Sequence, residues 1–153
     1  MIRMLLSAFG LTAATVVLHG VGTLAIAASV GRRWVERRDR LGPFGAELIV
    51  ARLVSTLLLM HLAEAVVWAI FFVWVGALPD VERAAYFSLT SYTTVGYGDV
   101  LLPESWRLLG PLEAAVGVMM LGWSTGILVA VIGIIHRRLF MSIRLQSEPD
   151  EPR

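Results

Sequence analysis

Three long apolar stretches leave this chain few places to fold other than a lipid bilayer. They run from about Met4 to Val30, Ile49 to Leu78 and Leu112 to Ile135. Each exceeds the roughly 20 residues that a helix needs to cross the hydrocarbon core. Between the second and third lies a shorter piece, Val81 to Thr94, led by Asp80, a residue suited to capping a helix start. At about 14 residues it is too short to span, so it reads as a re-entrant helix. A hydrophobic share of 57% and a mean hydropathy of +0.73 place the chain outside the usual soluble range. The expected fold class is an all-α membrane protein with three transmembrane helices plus the re-entrant one.

Charge sets the expected topology. All 13 basic residues are Arg. Five fall in Gly31–Arg40 against two acids, and more follow the third span at Arg137, Arg138 and Arg144. The positive-inside rule makes both regions cytoplasmic. The segment from Leu78 to Glu113 carries Asp80, Glu82, Asp99, Glu104 and Glu113 against Arg83 and Arg107, and is expected to face outward. The amino terminus is then outside and the carboxyl terminus inside, in a multi-pass protein of the cell membrane.

Arg3, the first apolar run and Ala25-Ile26-Ala27 imitate a cleavable signal. The run exceeds the roughly 7 to 15 residues of a signal core, and the Arg-rich loop after it would have to be exported. A retained first helix is the expectation. Residues 1–48 then form an extra helix and cytoplasmic loop, 49–136 a membrane module, and 137–153 a short cytoplasmic tail. Within that tail region His136 to Leu145 reads as a short interfacial helix, and Gln146 to Arg153 as disordered. No soluble regulatory domain fits there, and no nucleic-acid partner or cofactor is expected. The absence of Cys removes disulfides, thiolate metal sites and cysteine nucleophiles.

Directly after the re-entrant helix comes Thr93-Thr-Val-Gly-Tyr-Gly-Asp99. Non-helical backbone lies at membrane depth only when buried in protein or lining a water-filled path. Gly96 and Gly98 allow conformations closed to other residues, so that successive carbonyls can point the same way. A row of carbonyl oxygens can replace the hydration shell of a cation.

Thr94-Val-Gly-Tyr-Gly98 resembles the signature filter of potassium channels, with Thr93 and Asp99 extending the match on either side. The likeness covers approximately residues 50 to 135: outer helix, pore helix, filter and inner helix. It implies that K+ is held by the carbonyls of Thr94, Val95, Gly96 and Tyr97 with the Thr94 hydroxyl. It also implies that Tyr97 packs outward against the pore helix and that Asp99 sits at the outer mouth. A filter of this kind needs four loops around an axis, so one motif per chain implies a homotetramer in a lipid bilayer, with potassium ions as the conducted species.

The third span holds Gly117, Gly122, Gly126 and Gly133. By the family's pattern, Gly117 is the first candidate for a hinge and Gly122 the second; close helix packing is the competing reading. Val118, Leu121, Thr125 and Val129 share one helical face by their spacing and are candidates for a cavity wall and gate. His19, His61 and Glu64 fall at similar depth in antiparallel spans. Ionisable groups there turn toward protein or water, which suggests an interhelical hydrogen bond from His19 to Glu64, or a pH-sensitive element.

Two other classes compete. Gly122-Trp-Ser-Thr-Gly126 also matches the nucleophile pattern of serine hydrolases, but that pattern needs a strained turn and here sits in a helical run. A less selective cation channel or a potassium-uptake subunit is the nearer alternative, although such relatives usually depart from Gly-Tyr-Gly or carry several filters in one chain. An enzyme is not expected, and the first span lacks the regularly spaced Arg of a voltage sensor.

Overall fold

A computed structural model of the protein describes residues 1–36 and 43–147, with side chains over 1–29 and 44–137. The charged groups of the Arg-rich loop and the residues from 148 onward lie outside the described residues, and with them the reading of 148–153 as disordered, whereas Gln146 and Ser147, read together with that end, are helical. Four helices follow in order: α1 (Ile2–Glu36), α2 (Pro43–Trp74), α3 (Val81–Tyr92) and α4 (Leu109–Ser147). Three segments, Ile2–Ser29, Phe44–Trp74 and Leu109–Arg137, are long and apolar enough to cross a membrane. The chain is therefore an all-α, multi-pass membrane protein.

Helix ends differ from the apolar limits for local reasons. α1 continues through Glu36 into the stretch expected as a loop, because Arg and Glu favour helix and nothing after Gly31 breaks it. α4 likewise runs unbroken to Ser147, so the expected separate helix from His136 is instead the continuation of α4. α2 stops at Trp74, short of the expected Leu78. There Gly76 takes φ +69°, its N–H bonds the Val73 carbonyl at 3.0 Å, and that of Ala77 bonds Phe72 at 2.8 Å. These are the two bonds of a glycine-closed Schellman cap.

α3 starts where its cap residue predicts. Asp80 is extended at φ −150°, and its side chain accepts from the Arg83 amide at 2.8 Å. The helix has 12 residues, about 18 Å at ~1.5 Å per residue, well short of a ~30 Å hydrocarbon core. It is wedged between α2 and α4. Phe87 meets Phe72 edge-on at 5.4 Å and 83°, beside the fully buried Trp68, Ala84 and Leu109. In lipid, apolar burial between helices gains little, so close packing and hydrogen bonds must hold such a wedge.

Both devices appear in the packing of α1, which lies along α2 and α4. Gly22 is open on the side where the Met60 sulfur approaches, and a β-carbon there would overlap it. About two turns earlier on α1, Trp68 Nε1–H donates to Thr15 Oγ1 at 3.0 Å, while that hydroxyl donates to the Leu11 carbonyl at 2.9 Å.

Candidate functional site

Two groups of residues stand out, the loop after α3 and a buried polar cluster beside it. At the end of α3 the Thr93 hydroxyl bonds the Leu89 carbonyl at 2.6 Å, the Thr94 amide bonds Ser91 at 2.9 Å, and the Gly96 amide reaches back to Thr90 at 3.0 Å. The backbone then alternates. Thr94, Gly96 and Gly98 have φ of +64°, +51° and +79°, whereas Val95 and Tyr97 stay on the negative side. Left-handed φ is costly for a branched residue such as Thr, so the neighbouring bonds must hold it there.

At the far end of the loop Asp99 is fixed twice. Its Oδ2 accepts from the Tyr86 hydroxyl at 2.8 Å and its Oδ1 from the Val100 amide at 3.1 Å. Asp99 holding the phenol proton raises the Tyr86 pKa above its ordinary value. Val95 and Tyr97 are 51% and 72% exposed, so within one chain the Tyr97 ring does not pack on α3.

The polar cluster joins all four helices. Glu64 of α2 is fully buried. Its Oε1 accepts from His19 Nδ1 of α1 at 2.8 Å, and its Oε2 accepts from the Tyr92 hydroxyl at the end of α3. His61 Nδ1 lies 2.9 Å from that hydroxyl and 3.4 Å from Oε2. On its other side His61 Nε2 lies 2.9 Å from Ser124 Oγ of α4, and Ser124 Oγ lies 3.5 Å from His19 Nε2. The two imidazoles tilt against one another at 5.4 Å, and the Trp123 ring lies 5.1 Å from His19.

His19, His61 and Glu64 are thus in one place, as their shared depth suggests. Ser124, whose Gly-x-Ser-x-Gly pattern lies near the depth of the two histidines, joins them as well, and so does Tyr92, which the sequence hides in front of the glycine-rich loop. Donor atoms of His19, His61 and Glu64 lie within 4.8 Å of one another, a spacing a metal ion bridges. Each is already engaged in a hydrogen bond, which accounts for the arrangement without one.

Ser124, His61 and Glu64 also reproduce the connectivity of nucleophile, base and acid. Ser124, however, is 5% exposed on an unbroken helix. There the backbone N–H groups are committed to the carbonyls four residues back, so no donors remain for an oxyanion. The carboxylate also turns to His19 and Tyr92.

On α4 the glycines differ. A β-carbon on Gly117 would collide with the Tyr92 carbonyl oxygen, at 2.9 Å from its carbon and 3.1 Å from the ring. Gly117 is where α4 crosses the end of α3. Gly122, Gly126 and Gly133 face open space. Val118, Leu121, Thr125 and Val129 are all exposed in the single chain, and Thr125 ties its hydroxyl to the Leu121 carbonyl at 2.8 Å.

Glu113, the last acid of the segment expected on the outer side, is fully buried within the chain, and neither its carboxylate oxygens nor the Ser88 hydroxyl has a hydrogen-bond partner among the described residues. Its position in the first turns of α4 turns it under α3, a rotation that hydropathy cannot show.

Residues 56–133, just over half of the chain, match a family model described as Ion channel. No curated protein and no solved structure matches the chain.

Proposed function

The chain belongs to the ion channel family, a non-enzymatic transport role, and from that premise we propose that it is one subunit of a potassium-selective channel. The observation that carries this reading is the alternation of backbone sign at Thr94, Gly96 and Gly98 within Thr-Val-Gly-Tyr-Gly. Alternating left- and right-handed residues turn successive peptide planes over, so that their carbonyls line one side of the strand. Four such strands give the oxygen cages that replace potassium's hydration shell. Thr94, Val95, Gly96 and Tyr97 supply the carbonyls, and the Thr94 hydroxyl the innermost ligand. Thr93 holds the end of α3, and Asp99 holds the outer mouth through Tyr86.

In this reading α3 is the pore helix, α2 the outer helix and α4 the inner helix. The carboxyl end of α3 aims its partial negative charge toward the loop, which favours a cation there. A homotetramer supplies the other three strands and covers what one chain leaves bare: Val95, Tyr97, Val118 and Val129 are all more than half exposed. The same assembly lines the cavity with Val118, Leu121 and Thr125, with Val129 toward the inner mouth, where an apolar ring can close by dewetting. The amino terminus is outside and the Arg-rich ends are cytoplasmic. With Gly117 occupied by its contact to Tyr92, Gly122 becomes the better placed of the two glycines for bending α4.

The test is ion flux. Liposomes containing the purified chain are expected to pass potassium and exclude sodium, and Gly96→Ala is expected to abolish the flux, since a methyl group at φ +51° costs about 1–2 kcal/mol per strand in a ring of four. Equal permeation of sodium would point to the less selective cation channel, and flux that ignored both ion and mutation would overturn the reading.

A further inference from the structure

Counting protons in the buried cluster shows one missing. Five contacts link Glu64, His19, His61, Tyr92 and Ser124: Glu64 to His19, Glu64 to Tyr92, Tyr92 to His61, His61 to Ser124, and Ser124 to His19. An ionised carboxylate donates nothing, a neutral imidazole carries one N–H, and each hydroxyl carries one proton. That makes four protons for five contacts.

Their places follow in order. His19 must carry its proton on Nδ1, since the partner there is a carboxylate oxygen. The Tyr92 proton goes to the other oxygen of Glu64, and placing the His61 proton on Nδ1, toward the Tyr92 oxygen, leaves the gap at the longest contact and fills both of those at 2.9 Å. His61 Nε2 is then an acceptor and takes the Ser124 proton. Nothing remains between Ser124 Oγ and His19 Nε2, where two lone pairs face each other across 3.5 Å, the longest of the contacts. In this state the cluster also holds one uncompensated negative charge within membrane-spanning helices, which is expensive.

We propose that this cluster is a binding site for a single proton, taken up at Nε2 of His19, and that its occupancy determines how α1 is held to α4. The added proton comes from water; His61, at 11% exposure, lies on the open side, and the Ser124 hydroxyl can pass a proton between the two Nε2 atoms. On uptake, His19 gains an N–H that donates to Ser124 Oγ and completes the fifth contact. The cluster becomes neutral overall, with the imidazolium of His19 against the carboxylate of Glu64 at 2.8 Å. On release, the lone pairs oppose each other again, and α1 loses its polar link to α4 while keeping the one to α2.

The titratable groups facing His19 are His61 and Glu64 from α2 and Tyr92 from α3. From α4 it meets only Ser124 and Trp123, which do not titrate in this range. His19 is favoured over His61 as the seat of the charge because its contact to the carboxylate is shorter and its Nε2 is the nitrogen left without a proton. A proton fits better than a metal ion, because His19 Nδ1, both nitrogens of His61 and both oxygens of Glu64 are already hydrogen-bonded, which leaves Nε2 of His19 as the single open nitrogen. The site stands on the side-chain geometry alone and does not rest on the reading of residues 93–99 as a potassium filter.

Trp123 gives a readout that needs no ion flux, since an imidazolium quenches an adjacent indole and the His19 ring lies 5.1 Å away. The full chain in liposomes, treated with chelator, is titrated across about pH 5 to 8, where His side chains change charge. The Trp123 signal is the difference between the parent and Trp123→Phe. Emission is expected to fall on acidification along a one-proton curve, and His19→Gln is expected to lose that component. Ser124→Ala, which removes the acceptor of the added N–H, and Glu64→Gln, which removes the countercharge, should each weaken the acid-induced fall. A flat curve in the parent would overturn the proposal without any variant having to fold. A curve that survived in His19→Gln but vanished in His61→Gln would overturn the assignment to His19.

Discussion

Replacing Gly117 and Gly122 by Ala, one at a time, tests what the glycines of α4 are for. In a helix interior the change from Gly to Ala gains about 0.8–1.0 kcal/mol in propensity wherever the methyl group has room. Gly122 has that room, with nothing within 4 Å of a β-carbon. Gly122→Ala is therefore expected to be neutral or to stabilise by up to about 1 kcal/mol. Gly117 does not, because the obstructing atoms are the carbonyl and ring base of Tyr92, whose hydroxyl is tied to Glu64 and His61.

A backbone carbonyl cannot swing aside as a side-chain tip can, so α4 must move off the end of α3. Overpacking of this kind costs about 1–3 kcal/mol, and the backbone obstacle favours the upper half of that range. After the propensity gain, Gly117→Ala should destabilise by roughly 1–2 kcal/mol per chain. Thermal unfolding of the two purified variants, followed by circular dichroism in detergent, measures both signs. A Gly117 serving only as a hinge gives the opposite pattern: Gly117→Ala would stiffen α4, raise its thermal stability and impair opening. A Gly117→Ala protein as stable as the parent would refute the packing argument.

Two further outcomes are expected. Tyr92→Phe leaves one Glu64 oxygen buried without its donor, at a cost of about 1–3 kcal/mol, and a variant melting at the parent temperature would show that the hydroxyl contributes nothing. For Tyr86 the sign runs from its raised pKa. The Asp99 hydrogen bond is fully present below the phenol's ordinary value of about 10, and it is lost as pH rises through the higher value of the folded protein. Phenolate absorbance from Tyr86, taken as the difference from Tyr86→Phe, should therefore appear at lower pH in Asp99→Asn than in the parent.

Much of this architecture is legible in the residues, and the parts that are not share a cause. Apolar length reveals the three spanning helices, and Asp80 marks the start of α3, because both signals are local. Helix ends drift where no local signal stops them, as in the continuation of α4 past Ile135. Gly76 did carry a stop signal, but its left-handed cap could be recognised only beside the carbonyls of Phe72 and Val73. Depth alone suggested pairing His19 with Glu64. Rotation about each helix axis decided the rest: it turned Tyr92 and Ser124 toward the two histidines, Glu113 inward, and Gly117 against α3. An α2 that is apolar nearly all round gives no stripe from which such a rotation is read.

The anchoring of Tyr92 also bears on how the chain tolerates changes of length. Its side chain is pinned to Glu64, its carbonyl abuts Gly117, and only Thr93 separates it from the left-handed Thr94. There is no slack between these fixed points. One residue inserted or deleted between 92 and 94 would have to unseat either the anchor or the loop. The stretch from Val75 to Pro79 is tied by backbone bonds to the end of α2 alone, and none of its side chains hydrogen-bonds a neighbouring helix. Drift in chain length during evolution, or by engineering, should therefore collect ahead of α3 and be absent behind it.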